Sequence, residues 1–444
     1  MERATLQELV EWKTSPNRKP LILKGVRQSG KTWLLQHFGA MHYRDVAYFS
    51  FDEQPDLKQF FELDKDPERI LRNLSIVRGS PIEAGQTLVI FDEIQECNAA
   101  LNSLKYFCEK APAYHIACAG SLLGVALSKP AGFPVGKVDF LHVHPLGFTE
   151  FLRGTGETEL ACYVESIETI EPLPELFFKR LSEYLKYYFI TGGMPEVVER
   201  WRETGDVAIV QKTLSNLLDA YERDFAKHAE RSDFPKLSLI WHSIPSQLGR
   251  DNKKFLYRAI KEGARAREYE DALQWLCDAG LTYKLSRVEK PALPLPAYDD
   301  ISSFKLYACD VGLLRRLAGL PASAFGEGTR LFTEFKGSLS ENFVLQTLDR
   351  QLEVMPRYWT DGKGRAEVDF VVQVENDIIP IEVKAGTSTE SRSLASWAQR
   401  FPEKAGLRVR FSMRNLKRDG TLLNIPLFLA DRSIALISKA NASG

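Results

Sequence analysis

The stretch GVRQSGKT, residues 25–32, decides how the rest of this chain is read. It fits the pattern G-x-x-x-x-G-K-[ST], with Gly25, Gly30, Lys31 and Thr32 at the fixed places. Glycines let successive backbone N–H groups turn inward as an anion nest, and the following helix presents its positive end. A lysine at this place reaches the β and γ phosphates, and the hydroxyl after it ligates Mg²⁺. PLILKGV leads into the loop and TWLL leads out of it, so the motif lies between an expected strand and an expected helix. Gly25, Arg27, Ser29, Gly30, Lys31, Thr32 and Trp33 are therefore the expected binding segment for ATP, with Mg²⁺ as its companion ion.

Outward from the loop, VAYFSF (46–51), TLVIFDE (87–93) and YHIACAGS (114–121) are further short apolar runs separated by helical patterns. Such runs predict a buried parallel sheet covered by helices. TLVIFDE ends in Asp92 and Glu93. The first acid is placed to hold the magnesium shell with Thr32, and the second to orient or deprotonate an attacking water. Ser121 ends the next run and is placed to sense the γ phosphate. Lys31, Asp92, Glu93 and Ser121 form the expected catalytic set.

At 444 residues the chain is too long for one core, and its 44% hydrophobic and 26% charged residues are those of an ordinary globular protein. A net charge of −1 exerts no global pull on nucleic acid or anionic lipid, so any such contact must come from a local patch. No apolar run reaches the roughly 18 residues of a membrane span, and MERATLQELVEWK lacks a signal-peptide core. The expectation is a cytoplasmic protein with no membrane partner. Cysteines 97, 108, 118, 162, 277 and 309 lack C-x-x-C spacing and read as reduced small hydrophobes. His142 and His144 share a strand face, with no further metal ligand near them in sequence.

Residues 151–290 are mostly helical in pattern, and Pro-rich KPALPLPAYDD (290–300) reads as a linker to a second, smaller α/β unit. Within that unit, AEVDFVVQVENDIIPIEVKAG (366–386) reads as two strands joined by a polar turn, with Asp369, Glu382 and Lys384 embedded in them. Charges in such strands are costly to bury unless something pairs with them.

GVRQSGKT, FDEIQ (91–95), AGS (119–121), VHPLGFTEFL (143–152) and YFITGGMPEVV (188–198) resemble the AAA+-related bacterial and archaeal ATPases allied to the signal-transduction ATPases with numerous domains. The resemblance implies that Gly193-Met194-Pro195 is a G-x-P element packing on adenine, which adds Gly193 and Pro195 to the expected nucleotide contacts. A plain turn between helices accounts for the same residues. Many relatives carry Gly-Arg where this chain has Gly136-Lys137, and lysine cannot reproduce a bidentate guanidinium contact. Arg153 and Arg223 are alternatives, and no arginine finger is assigned.

NKKFLYRAIKEGARAREYEDALQWLCDAGLTYKLSRV (252–288) resembles a winged helix: helix, turn, helix, strand. Arg250, Lys253, Lys254, Arg258, Lys261, Arg265 and Arg267 cluster ahead of its second helix, which makes DNA a candidate partner. A lid on the nucleotide, or a solvated charged face, accounts for the same pattern.

Glu341 in SLSENFVLQTLDRQL (338–352), Asp369, and Glu382-x-Lys384 resemble the PD-(D/E)xK restriction-nuclease fold. The resemblance implies carboxylates holding Mg²⁺ against a scissile phosphate and a lysine beside the hydroxide nucleophile. Residues 382 and 384 share a strand face, as do Glu367 and Asp369. The site is active or vestigial, since a fold can keep its acids and only bind.

The expected fold class is α/β. An AAA+-like P-loop ATPase domain (1–150) is followed by a helical lid with the G-x-P element (151–205), a winged-helix-like domain (206–298) and a restriction-endonuclease-like α/β domain (299–444). Three functions compete: a nucleotide-driven switch, an ATP-gated metal-dependent nuclease, and a scaffold that binds ATP without turning it over.

Overall fold

The apolar runs around the glycine loop form β1 (Leu21–Lys24), β2 (Asp45–Ser50), β3 (Thr87–Asp92) and β4 (His115–Ala119), joined by β5 (Asp139–His142). They make one parallel sheet in the order β2-β3-β4-β1-β5. β3 is buried at all six positions and explains why the pattern is continuous rather than alternating. Leu88 and Ile90 face a core with Leu21, Leu23, Leu34 and Phe38, whereas Val89 and Phe91 face the opposite core with Ile22, Phe49 and Leu104.

This computed structural model describes residues 3–121, 136–229, 232–321, 330–361, 366–387, 391–404 and 406–442. The chain packs as two compact units, Met1–His144 with Asp278–Leu281 and Pro145–Cys277 with Thr282–Gly444. The first unit holds the five-stranded sheet.

The second unit holds helices and an eight-stranded sheet in the order β12-β13-β11-β10-β9-β8-β6-β7. Its strands are β6 (Thr282–Val288), β7 (Asp299–Ala308), β8 (Arg357–Thr360), β9 (Glu367–Val374), β10 (Asp377–Val383), β11 (Arg408–Ser412), β12 (Lys417–Asp419) and β13 (Leu422–Pro426). The strand pair read at 366–386 is the antiparallel hairpin β9–β10, whose tight turn places Glu375 at φ 53°.

Two local expectations give way. KPALPLPAYDD is not a free linker: it joins β6 to β7, an antiparallel pair, so the expected boundary at 298/299 falls inside a hairpin. It forms a 3₁₀ turn, Leu295–Tyr298, and Leu295 is fully buried in a core with Val288, Trp359 and Trp397. The first helix expected after residue 252 is only a short 3₁₀ turn, Tyr257–Ala259. The backbone of this segment is bonded outside it: Phe255 N–H donates to Phe304 O at 2.8 Å, and the Gln247 side-chain amide brackets Leu256 at 3.0 and 3.1 Å. The second helix forms at Ala266–Asp278 and buries Ala272, Leu273 and Leu276, with Cys277 half-buried.

Candidate functional site

In the first unit the carboxyl ends of β1, β3 and β4 lie along one sheet edge, where ligands of open α/β sheets bind. Gly30 adopts φ 89° to start the helix Lys31–His42, and Gly25 adopts φ 148°. A β-carbon on Gly25 would fall 2.2 Å from the Val143 carbonyl oxygen, so only glycine fits at that turn. Thr32 Oγ1 donates to Asp92 Oδ2 at 2.8 Å, and Tyr48 donates to the same oxygen at 2.8 Å. Ser121 Oγ lies 3.0 Å from both oxygens of Glu93, and Gln95 Nε2 donates to Glu93 at 2.5 Å. Glu93 sits at φ 49°, a left-handed conformation that costs a non-glycine residue and clusters at functional sites. The expected catalytic residues are therefore gathered in one place.

Lys31 Nζ donates to Gly25 O and Val26 O, each at 2.9 Å, folding the ammonium back over the loop. Ser29 is fully buried, and its hydroxyl has no hydrogen-bond partner. An orphaned hydroxyl and an ammonium held only by carbonyls fit a cradle for phosphate oxygens. Burial pushes the Lys31 ammonium down to about 8, a drop limited by the neighbouring Glu93 and Asp92 carboxylates. Its charged form is disfavoured in the free site, so phosphate affinity should fall as pH rises through 8. Titrating Mg·ATP between pH 7 and pH 9 is expected to show roughly tenfold weakening, absent in a Lys31→Arg variant.

Arg3 and Tyr48 escaped the sequence reading. Arg3 is buried, donating to Ser29 O at 2.8 Å and to His144 O at 2.5 Å, and so ties the phosphate loop to the end of β5. A lone arginine near a terminus carries no motif, and a tyrosine in VAYFSF reads as strand filling. Arg27 is exposed, and Trp33, 43% exposed, stacks on His37. Lys137 pairs with Glu109 at 2.9 Å, and Arg153 with Glu165 at 2.5 Å.

Gly193 and Pro195 belong to the second unit. Gly193 N–H donates to the buried Asp310 at 2.7 Å, and Gly193 O accepts from Leu146 N–H at 2.6 Å. Pro195 opens the helix Pro195–Thr204. Close packing within that unit accounts for the glycine.

The C-terminal acids also converge. A cavity of about 610 Å³ in the second unit is lined by Glu341, Glu367, Asp369, Glu382 and Lys384, together with Lys253 from the basic cluster. Lysines pair with three of the four acids: Lys253 with Glu341, Lys305 with Glu367, and Lys384 with Glu382 at 2.8 Å. Asp369 accepts from Val383 N–H at 2.8 Å. Burial, and then the charge of Glu341, raise the Asp369 carboxyl to about 7. Burial works the same way on Glu341, but Lys253 and Lys305 outweigh it and hold that carboxyl below the usual range. Among the described residues no three acid, histidine or cysteine side chains converge as a metal cluster, and the His142 and His144 rings lie 5.8 Å apart.

Sheet order, glycine loop and paired acids define the class of the first unit as an AAA-type P-loop nucleotide-binding domain. A family model described as an AAA domain matches residues 17–152. Two models described as domains of unknown function, DUF8612 and DUF4143, match 182–324 and 336–428 and assign no activity there. Among solved structures, the chain is similar to the Walker-type ATPase of Pyrococcus abyssi at 15% identity, covering 71% of this chain and 95% of that one, with a TM-score of 0.45. It is similar to the RuvB Holliday junction branch migration motor of Thermotoga maritima at 14% identity, covering 64% and 90%, with a TM-score of 0.31. A STAND protein with a tetratricopeptide repeat sensor from Pyrococcus horikoshii aligns at 13% identity, covering 80% of this chain and 46% of that one, with a TM-score of 0.28. No curated protein matches. Among the described residues no helix is long and apolar enough to cross a membrane.

Proposed function

We propose that this chain is a Mg²⁺-dependent ATPase acting as a nucleotide-driven switch, coupled to a nuclease-like second unit that has DNA as its candidate partner. The observation that carries the reading is the convergence of Lys31, Thr32, Asp92, Glu93 and Ser121 at one sheet edge. Bound Mg²⁺ would supply positive charge against the negative charge that develops on the phosphates. Thr32 and Asp92 would hold it, since they already share a hydrogen bond. Lys31 leaves its loop carbonyls for phosphate oxygens, an exchange of neutral acceptors for charged ones. Glu93 is the base that orients water, and it must first release Ser121 or Gln95.

Turnover by purified protein tests the proposal. Glu93→Gln keeps the shape and the hydrogen bonds but removes the base. It is expected to leave Mg·ATP affinity within about threefold and to slow hydrolysis by roughly 10²–10³-fold. Equal turnover in wild type and variant would remove Glu93 from the reaction, and no turnover in either would leave the non-hydrolysing scaffold.

Coupling to DNA is supported by Arg250, Arg258, Lys261, Arg265 and Arg267, all exposed, on the stretch of chain that also supplies Asp251–Lys254 to the acidic cavity's lining. Pairing of the acids with lysines favours the switch over a constitutively active nuclease.

A further inference from the structure

Asp92 takes one donor more than the phosphate-loop pattern supplies. Its Oδ1 accepts from the Glu93 backbone N–H at 3.0 Å. Its Oδ2 accepts from Thr32 Oγ1 and also from the Tyr48 hydroxyl, each at 2.8 Å. A carboxylate accepts at about four lone-pair sites, two on each oxygen, so these two hydroxyls fill Oδ2. Oδ1 is then the oxygen able to take a further donor. The carboxylate is 5% exposed, which makes each of its partners count.

Tyr48 reaches Asp92 because of strand register. β2 lies beside β3, with Tyr48 opposite Ile90 and Ser50 opposite Asp92. Side chains two apart share a face, so Tyr48 and Asp92 stand on the same side of the sheet. The helix Lys31–His42 covers that side and brings Thr32 at its start, while the Tyr48 ring packs on the core of Leu34, Phe38 and Ile90. The ring is thus anchored by packing and its hydroxyl aimed at one oxygen. The terminal torsion of an aspartate is broad, and a single hydrogen bond leaves it loose. Donors from a helix and from a neighbouring strand hold it. Burial, and then the bond to Asp92, raise the Tyr48 phenol above its usual range, so it remains a donor in neutral and mildly alkaline solution.

We infer that Tyr48 is a positioning residue for Mg²⁺, fixing the Asp92 carboxylate without itself touching the ion or the nucleotide. The inference rests on the reading of the first unit as a Mg²⁺-dependent ATPase and adds the residue that sets its metal affinity. A threonine hydroxyl has one proton and two lone pairs, so Thr32 can offer a lone pair to the ion and still donate to Asp92. With the phenol removed, Oδ2 is held by Thr32 alone, and Oδ1 loses its fixed direction. Removing the partner that orients a metal-holding side chain typically costs about 10–100-fold in metal affinity.

Binding of a non-hydrolysable ATP analogue to the full chain, by calorimetry with excess Mg²⁺ and again with EDTA, separates the ion from the nucleotide. The ratio of the two affinities is the metal's contribution. Tyr48→Phe is expected to shrink that ratio by about 10–100-fold and to leave the EDTA affinity within about threefold of wild type. The substitution deletes one hydroxyl and keeps the ring, so the core under it stays filled. Asp92→Asn is expected to shrink the ratio at least as far, and adding Tyr48→Phe to it should change nothing more, since the phenol acts through that carboxylate. A ratio unchanged in Tyr48→Phe but lost in Asp92→Asn would overturn the role of Tyr48 and leave the ATPase reading standing. Equal weakening with Mg²⁺ and with EDTA would reduce Tyr48 to a fold residue and overturn the inference as well. No binding of the analogue by wild type in either condition would overturn the ATPase reading and this inference with it.

Discussion

Replacing Lys31 by alanine is expected to weaken Mg·ATP binding by roughly 10²–10³-fold, because the β and γ phosphates lose charge-assisted bonds of about 1.5–3 kcal/mol each. The side chain is only 6% exposed and donates to the loop carbonyls Gly25 O and Val26 O. The fold should not suffer. Burial disfavours the charged form of Lys31 in the free protein, so its removal takes away a desolvation cost and leaves no buried countercharge without a donor. Thr32, Tyr48 and the Glu93 backbone N–H still serve Asp92, and Ser121 and Gln95 still serve Glu93. Thermal melting without nucleotide is thus expected to stay at or above wild type, while calorimetry with Mg·ATP registers the loss. Affinity within about threefold of wild type would remove Lys31 from the phosphate site, and the class of the first unit would then rest on the fold alone.

Gly193→Ala is expected to strike stability instead, by about 3 kcal/mol or more. A β-carbon there would stand 2.1 Å from the Leu146 carbonyl oxygen and 2.9 Å from its nitrogen, both backbone atoms that cannot swing aside. The shift needed to relieve it breaks two bonds at once, Leu146 N–H to Gly193 O and Gly193 N–H to Asp310. Asp310 is fully buried and also caps the helix Val311–Leu317, so a lost donor leaves part of a carboxylate unsatisfied in the interior. Five of the seven tryptophans lie in the second unit, at 201, 241, 275, 359 and 397, and their fluorescence reports its unfolding in denaturant. A midpoint unchanged from wild type together with weaker ATP binding would return Gly193 to the nucleotide, as the G-x-P resemblance has it.

Much of this protein is legible before folding. The glycine loop, the strands on either side of it and the hairpin at 366–386 announce themselves because their signals are local: backbone freedom at glycine, continuous apolar burial, a polar turn. The acids at 92, 93, 341, 369 and 382 are legible for the same reason, since their residue types are costly in strands and helices without a use. KPALPLPAYDD misleads because proline content is a local signal, whereas the insertion of Leu295 beside Trp359 and Trp397 is not. The helix Arg330–Gln351 is harder still. Every residue from 338 to 348 is buried, polar ones included, so no amphipathic stripe marks it. Ser338 finds Leu248 O, Asn342 finds the backbone of Ala308, and Gln346 finds the Tyr188 hydroxyl, none of them near in sequence.

From its residues alone the chain is committed to a phosphate cradle, a parallel sheet around it and a set of carboxylates near its end, because each follows from conformational freedom, periodicity or charge within a few neighbouring positions. Which groups meet was settled by tertiary packing: Arg3 on the loop, Tyr48 on Asp92, and lysines 253 and 305 on the acids they neutralise. Ion pairs and buried hydrogen bonds are made at a few ångströms in space, and separations of 88 residues for Lys253 and Glu341 leave no trace in the order of the amino acids.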